Sequence, residues 1–342
     1  MSNGIFQVPI PDNEPVLNYG PGSPEKAKLK AALEKLMGQE IEIPLIIGGK
    51  EVRTGRFGSC VVPHNHHHRL GQFHQAGPEE VKAAIDAALR ARREWAAMPW
   101  EERAAIFLRA AEILAREKRY LVNAATMLGL SKTPYQAEID SACELADFWR
   151  FNTYYMEQIY RQQPRSVPLS WNRVEHRGLE GFVFAVTPFN FTSIAGNLPT
   201  APAMMGNTVV WKPASSAVYP AYFVMQILEE AGLPPGVINF IPGPGSTVGD
   251  IVLQHPDLAG ITLQGALKLS RTCGRLWERT STATAPIPAW LGKPAARTSS
   301  LPTPALMLRL CALLWSGAPS SSRDRNAPPP PGRTSHRASG RS

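Results

Sequence analysis

The chain has 342 residues, 44% of them hydrophobic, and a formal net charge of +8 at pH 7. That length accommodates two domains, or one large α/β domain with an appendage, and a positive charge ordinarily invites a nucleic-acid partner. The distribution of charge removes that reading: of 36 basic and 28 acidic residues, 12 and 2 lie from Gln264 onward (net +10), which leaves the body with 24 and 26, a net of −2. The four cysteines, Cys60, Cys143, Cys273 and Cys311, are scattered without CxxC spacing. That spacing argues for a reducing compartment and against a disulfide framework or a zinc ribbon. No apolar run approaches the roughly 20 residues of a membrane span. The opening MSNGIFQVPIPDNEP carries acids and no arginine, unlike a signal or transit peptide.

In chain order, Ser23 to Met37 reads as a helix capped by Ser23, with Pro24 at its first position. Ile43 to Ile47 and Glu51 to Arg53 flank Gly48-Gly49, the signal of a tight hairpin. Pro78 to Trp95 and Glu101 to Thr126 carry apolar residues at helical spacing, and Thr133 to Met156 is apolar enough to be a largely buried helix. Short β-branched runs follow at Gly181 to Val186, Thr208 to Trp211 and Val237 to Phe240, separated by helices at Ser193 to Met204 and Ala217 to Ala231. That alternation is the pattern of a doubly wound parallel sheet.

The most specific stretch is VTPFNFTSIAGNLPTAPAMMGNTVVWKP, from Val186 to Pro213. It sets a strand before a Pro-Phe-Asn turn, then a helix of small residues, then a strand ending in Lys212. An asparagine on such a turn offers its side-chain NH2 to an oxyanion, and a lysine at the carboxyl end of a parallel strand is placed for a ribose or phosphate. The segment resembles the cofactor and oxyanion region of the aldehyde dehydrogenase superfamily. The spelling is most similar to the branch that oxidises glutamate γ-semialdehyde, the delta-1-pyrroline-5-carboxylate dehydrogenases. Asn13 to Leu17, Gln136 to Asp140, Phe148 to Asn152 and Arg177 to Phe182 carry further matches, and the resemblance covers roughly residues 12 to 261.

The resemblance implies that Asn190 stabilises the oxyanion and that Thr187, Pro188, Phe189 and Lys212 contact NAD. Without the flanking match, Asn190 would read as an ordinary turn asparagine and Lys212 as a surface lysine. Many relatives hold the ribose hydroxyls with a glutamate just past this lysine, but here Ala214-Ser215-Ser216 stands there, which leaves the preference between NAD and NADP open. Glu138 is carried as a candidate beside the aldehyde, against the alternative of a solvated helix face or a capping partner. The loop Gly243 to Gly249 lacks the lysine of a P-loop. His64, His66, His67 and His68 read as a solvated loop cluster, and no metal is expected.

The branch also needs a nucleophilic cysteine and a general-base glutamate in glycine-rich settings, and neither setting occurs downstream. After Ile261 the periodicity dissolves, and ten of the 32 prolines follow Gln264. The genetic code offers an explanation. The codons of Ala289 to Ser300, read one nucleotide earlier, allow R-L-V-G-E-T-G-G-K-N-F-I, the general-base motif. The same shift turns Ser316 to Ala327 into V-R-G-A-F-E-F-Q-G-Q-K-C, the nucleophile motif, and Leu263 to Leu267 into F-T-G-S-T. One deleted nucleotide near the codons of Ile261 and Thr262 accounts for all three. Cys273 and Cys311 lie in the shifted segment and are not assigned as nucleophile.

The expected fold is therefore α/β, of aldehyde dehydrogenase type, with a Rossmann-like NAD-binding domain on a parallel sheet and the catalytic domain missing. The expected division is an N-terminal arm and helix over residues 1–40, the NAD-binding domain over 41–261, and an out-of-frame, disordered tail over 262–342. By resemblance the intact enzyme converts L-glutamate γ-semialdehyde, formed from 1-pyrroline-5-carboxylate, to L-glutamate in proline degradation, as a homo-oligomer acting on a small molecule. The chain as written is expected to be inactive, with no nucleic-acid or membrane partner. A cytoplasmic bacterial setting is expected, with the mitochondrial matrix as the alternative. Another aldehyde dehydrogenase of different substrate, or a non-enzymatic basic-tailed binding protein, remains as a rival reading. A bifunctional fusion is disfavoured, because the resemblance begins near the start of the chain.

Overall fold

The computed structural model describes Gly4, residues 6–265 and residues 289–294. Helix α1 (Pro24–Met37) begins as expected, with Ser23 Oγ accepting from the Lys26 amide and Pro24 in the first turn. Strands β1 (Ile41–Ile43), β2 (Leu45–Ile47) and β3 (Lys50–Val52) follow. Gly48 and Gly49 turn β2 into β3 with φ of 59° and 73°, a left-handed pair that glycine adopts at little cost.

Strands β4 (Phe57–Val62) and β5 (Asn65–His74) form a hairpin that the hydrophobic pattern does not announce. With β1 they make a three-stranded sheet in the order β1-β5-β4. The histidine cluster is thereby corrected: His66, His67 and His68 lie within β5, while His64 stands in the turn with Nδ1 2.8 Å from Ser131 Oγ. Among the described residues no group of three or more His, Cys, Asp or Glu is arranged to hold a metal.

The long helices are segmented. After α2 (Pro78–Ala97), the expected helix from Glu101 to Thr126 is α3 (Trp100–Glu112), a π-helical turn (Ile113–Glu117) and α4 (Arg119–Leu130). The Lys118 amide bonds to the Ile113 carbonyl at 2.9 Å, five residues back. One extra residue in a turn rotates the following helix by about 100°. Arg119 is thereby buried, at 4% exposed. The expected helix from Thr133 likewise becomes α5 (Pro134–Ala137), a π-helical turn (Glu138–Cys143) and α6 (Glu144–Arg161).

The main sheet has the order β10-β9-β6-β7-β8-β2-β3. Strands β6 (Phe182–Val186), β7 (Thr208–Lys212), β8 (Ile238–Phe240), β9 (Leu258–Gly265) and β10 (Ala289–Pro294) run parallel, while β2 and β3 add an antiparallel edge. Every residue of β6 and β7 is buried, as a strand covered on both faces requires. Phe182, Phe184 and Val186 share a core with Val81, Ala84 and Ile85 of α2 and with Val248 and Val252 of α9 (Gly245–Val252). Val183 and Ala185 point the other way, into the larger core with α7 (Thr192–Met204) and α8 (Val218–Glu230).

The winding locates the site. From β6 the chain moves to β7 and β8 on one side, then returns to β9 on the other side of β6. Strand order therefore reverses at the carboxyl end of β6, the place where open α/β sheets form a ligand crevice. The expected domain boundary at Ile261 falls inside β9, which continues to Gly265 with Thr262 and Leu263 buried. Ala289–Pro294 pairs in register along it, from Ala289 opposite Gly260 to Pro294 opposite Gly265. A β-branched or apolar residue extends a strand whatever reading frame encoded it, so strand pairing cannot mark the boundary that codons suggest. Residues 266–288 and 295–342, with Cys273, Cys311 and most of the expected disordered tail, lie outside the described residues.

Candidate functional site

The loop Thr187 to Phe191 leaves β6 at the switch point and enters α7. Its root is tied to β7 twice: the Thr187 amide bonds to the Lys212 carbonyl at 3.2 Å, and Trp211 Nε1 donates to Thr187 Oγ1 at 3.0 Å. Thr187 and Pro188 are buried, whereas Phe189 is 65% exposed. Asn190 is half-buried, and its carboxamide makes no hydrogen bond among the described residues. A turn asparagine that served only the backbone would be bonded to it.

Helix α7 is held in place by polar pairs and close approach. Thr126 and Thr192 share a hydrogen bond of 2.8 Å, Asn152 Nδ2 donates to Asn197 Oδ1 at 2.8 Å, and Trp149 Nε1 donates to Thr200 Oγ1 at 3.0 Å. At Gly196 a Cβ would come within 2.8 Å of the Leu145 side chain and 3.1 Å of Val224, so a larger residue would have to displace packed side chains where α6 and α7 meet. The loop bearing Asn190 thus stands on a rigid base, as a pre-organised donor requires.

Lys212 ends β7 and is 8% exposed. Its ammonium donates to the Pro213 carbonyl at 3.0 Å, and its Cε lies 4.0 Å from where a side chain on Gly245 would begin. Burial, with no carboxylate partner among the described residues, pushes the ammonium down to about 8. The loop Gly243 to Gly249 therefore borders Lys212 through the start of α9, beside the crevice.

Glu138 requires a correction. A side chain that meets substrate needs a free oxygen, and this carboxylate is wholly buried. It accepts from Arg119 Nε and Nη2, from Tyr19 OH at 2.5 Å, from the Leu17 amide at 2.8 Å and from Asn123 Nδ2 at 2.7 Å. Burial alone would raise its pKa, but the bonds from Arg119, Tyr19 and Leu17 outweigh burial and hold it below the usual range. Arg119 also pairs with Glu14 and donates to the Pro15 carbonyl at 2.5 Å, so the network straps residues 14–19 to the body.

Another carboxylate was missed. Glu144 opens α6 and accepts from Ser193 Oγ at 2.5 Å, in the first turn of α7, three residues beyond Asn190. Its pKa is raised, chiefly by burial. Nearby, Lys132 lies 4.7 Å over the Phe191 ring and pairs with Asp140 at 2.7 Å. Both carboxylates sit on what reads as one helix, and only the π-helical turn decides which of them faces α7. The two described cysteines carry no nucleophile, since burial pushes the thiols of Cys60 and Cys143 up to about 12.

A family model described as the aldehyde dehydrogenase family matches residues 53–284. The chain belongs to this family. The match runs past Ile261, further than the motifs alone reach. Delta-1-pyrroline-5-carboxylate dehydrogenase of Agaricus bisporus is 50% identical over 275 residues, 80% of this chain and 50% of that protein. The human mitochondrial delta-1-pyrroline-5-carboxylate dehydrogenase is 47% identical over 267 residues, 78% of this chain and 47% of that protein. Among solved structures, Delta-pyrroline-5-carboxylate dehydrogenase from Mycobacterium tuberculosis bound with NAD superposes with a TM-score of 0.84 at 49% identity, covering 86% of this chain and 55% of that one. The chain spans about half the length of the curated relatives it matches. Among the described residues no helix is long and apolar enough to cross a membrane.

Proposed function

We propose that this chain carries the cofactor-binding half of an NAD-dependent dehydrogenase that oxidises L-glutamate γ-semialdehyde to L-glutamate in proline degradation. The observation that carries the reading is the Asn190 carboxamide, without a partner among the described residues, on a braced loop at the switch point of the sheet. The likeness to the delta-1-pyrroline-5-carboxylate dehydrogenases supports this choice of substrate. Thr187 and Lys212 border the crevice where the cofactor would lie, and NAD, when bound, supplies the hydride acceptor. Lys212 suits that ligand, because a buried ammonium with no counter-ion among the described residues gains from an anionic or hydroxyl-bearing partner. Asn190 Nδ2 donates to the oxygen that gains charge when a thiolate adds to the aldehyde carbon, and Phe189 and Phe191 shield that carbon from water. A homo-oligomer of the intact enzyme fits the exposed Leu169 and Trp171 on the segment between α6 and β6.

The nucleophile and the general base are absent from the chain as read. We propose that one nucleotide is missing near the codons of Ile261 and Thr262, and that the cysteine and glutamate motifs persist in the shifted frame. Sequencing those codons tests the lesion. Restoring the nucleotide tests the function: the repaired protein should oxidise glutamate γ-semialdehyde with NAD, and the present chain should not. A repaired protein that oxidises only short aliphatic aldehydes would overturn the substrate assignment. A gene that encodes the tail as written, with relatives keeping it in frame, would overturn the lesion.

A further inference from the structure

We propose that Lys132 is a positioning residue for the oxyanion donor: its ammonium pins the ring of Phe191 and so fixes the neighbouring Asn190. The inference rests on the oxyanion reading above and adds a residue to it. Phe191 is the N-cap of α7, and its side chain cannot accept from the free amides of the first turn as Ser, Thr, Asn or Asp would. The entry angle of the helix therefore needs other ties, and side chains from outside α7 give one to each of three consecutive residues. Lys132 Nζ lies 4.7 Å from the centre of the Phe191 ring. Thr126 of α4 shares a hydrogen bond with Thr192, and Glu144 of α6 accepts from Ser193 Oγ at 2.5 Å. The first tie acts on the residue next to Asn190; the other two act inside the helix.

Lys132 is itself held on both sides. Helix α4 ends at Ser131, whose φ of 54° puts a residue with a Cβ in the left-handed region. That conformation is uncommon outside glycine and persists where the surrounding contacts fix it. Ser131 Oγ lies 2.8 Å from Nδ1 of His64, in the turn between β4 and β5. On the other side Thr133 caps α5, its hydroxyl accepting from the Gln136 amide. The ammonium pairs with Asp140 at 2.7 Å, and the two side chains are only 18% and 13% exposed. The Phe191 ring stands inside the roughly 6 Å over which a ring face attracts an ammonium. Partial burial strengthens that attraction, because less water competes for the charge.

Turnover of the repaired, full-length enzyme tests this in a double-substitution cycle. Lys132→Met should lower kcat about tenfold, the size of a partly desolvated contact between ammonium and ring, with the KM for NAD within about twofold. Lys132→Arg, which keeps the charge and the ring contact, should stay within about threefold of the parent. In the Asn190→Ala background Lys132→Met should cost less than about twofold, because the donor it positions is gone. A further loss of about tenfold on top of Asn190→Ala, or a kcat within about twofold for Lys132→Met alone, would overturn the inference and leave the oxyanion reading standing. A turnover that Asn190→Ala does not lower would remove that reading, and this inference with it. Hydrogen exchange of the chain as read gives a second test. The Ala195 amide bonds to the Phe191 carbonyl at 3.1 Å and closes the first turn of α7. Lys132→Met should speed its exchange by at least about tenfold and leave the amides of β6 unchanged. Unchanged exchange at Ala195, or faster exchange at both places, would overturn the inference whether or not the repaired protein is active.

Discussion

Asn190 and Glu138 are both polar side chains in family-like motifs, yet their surroundings are opposite. Glu138 is wholly buried and collects bonds from Arg119, Tyr19, Leu17 and Asn123. Asn190 is half-buried and bonds to nothing described, although Thr187, three residues earlier, is bonded on both its amide and its hydroxyl. A saturated polar group has its energy committed to the fold, whereas a rigid, unsaturated donor is free to meet charge that forms only during a reaction. The contrast teaches that satisfaction of hydrogen bonds, more than residue type, separates a polar group committed to the fold from one left free to meet a ligand.

The contrast can be broken experimentally, and the largest effect belongs to the saturated network. Arg119→Met removes the principal partner of a buried carboxylate and should destabilise the chain by about 3–5 kcal/mol in urea denaturation. A loss under about 1 kcal/mol would show that Glu138 is not the anchor described here. In the repaired enzyme, Asn190→Ala should lower turnover by roughly 10²- to 10³-fold, the range for one oxyanion donor, with cofactor affinity little changed. A collapse of dinucleotide binding with turnover intact at saturation would reverse its role.

Lys212 gives an intermediate effect with a definite sign. Its folded pKa, about 8, lies below the ordinary lysine value of 10.5. The unfolded chain therefore binds the extra proton between those values, so this group makes stability rise with pH across that window. Below about pH 8 its penalty is fully present and constant. Relative to Lys212→Met, the native chain should gain at most about 1.4 kcal/mol per pH unit between pH 8 and 10.5, and the variant should be the more stable of the two at pH 7. Equal pH slopes in the two proteins would place the ammonium in water. The smallest effect is expected for Asn190→Ala in chemical denaturation, within about 0.5 kcal/mol, because a side chain without a partner contributes little to the fold.

Local chemistry made much of this molecule legible in its residues. Ser23-Pro24 marks the start of α1, Gly48-Gly49 the hairpin, and the apolar runs around Phe184 and Val210 the doubly covered strands, because caps, left-handed turns and two-sided burial each demand particular residue types nearby. The spelling around Asn190 and Lys212 carried the family for the same reason. What residues several positions apart do to one another was not legible. The β4–β5 hairpin lacks clean alternation, and its histidines read as loop until the pairing with β4 makes them strand. The two π-helical turns leave no mark on the helical period, yet they turn Arg119 inward and set Glu138, rather than a solvent-facing side chain, against it. The same turn brings Glu144 to Ser193. These outcomes depend on rotations about helix axes, which are decided where helices pack against one another, so only the tertiary structure could assign one glutamate to the strap and the other to the start of α7.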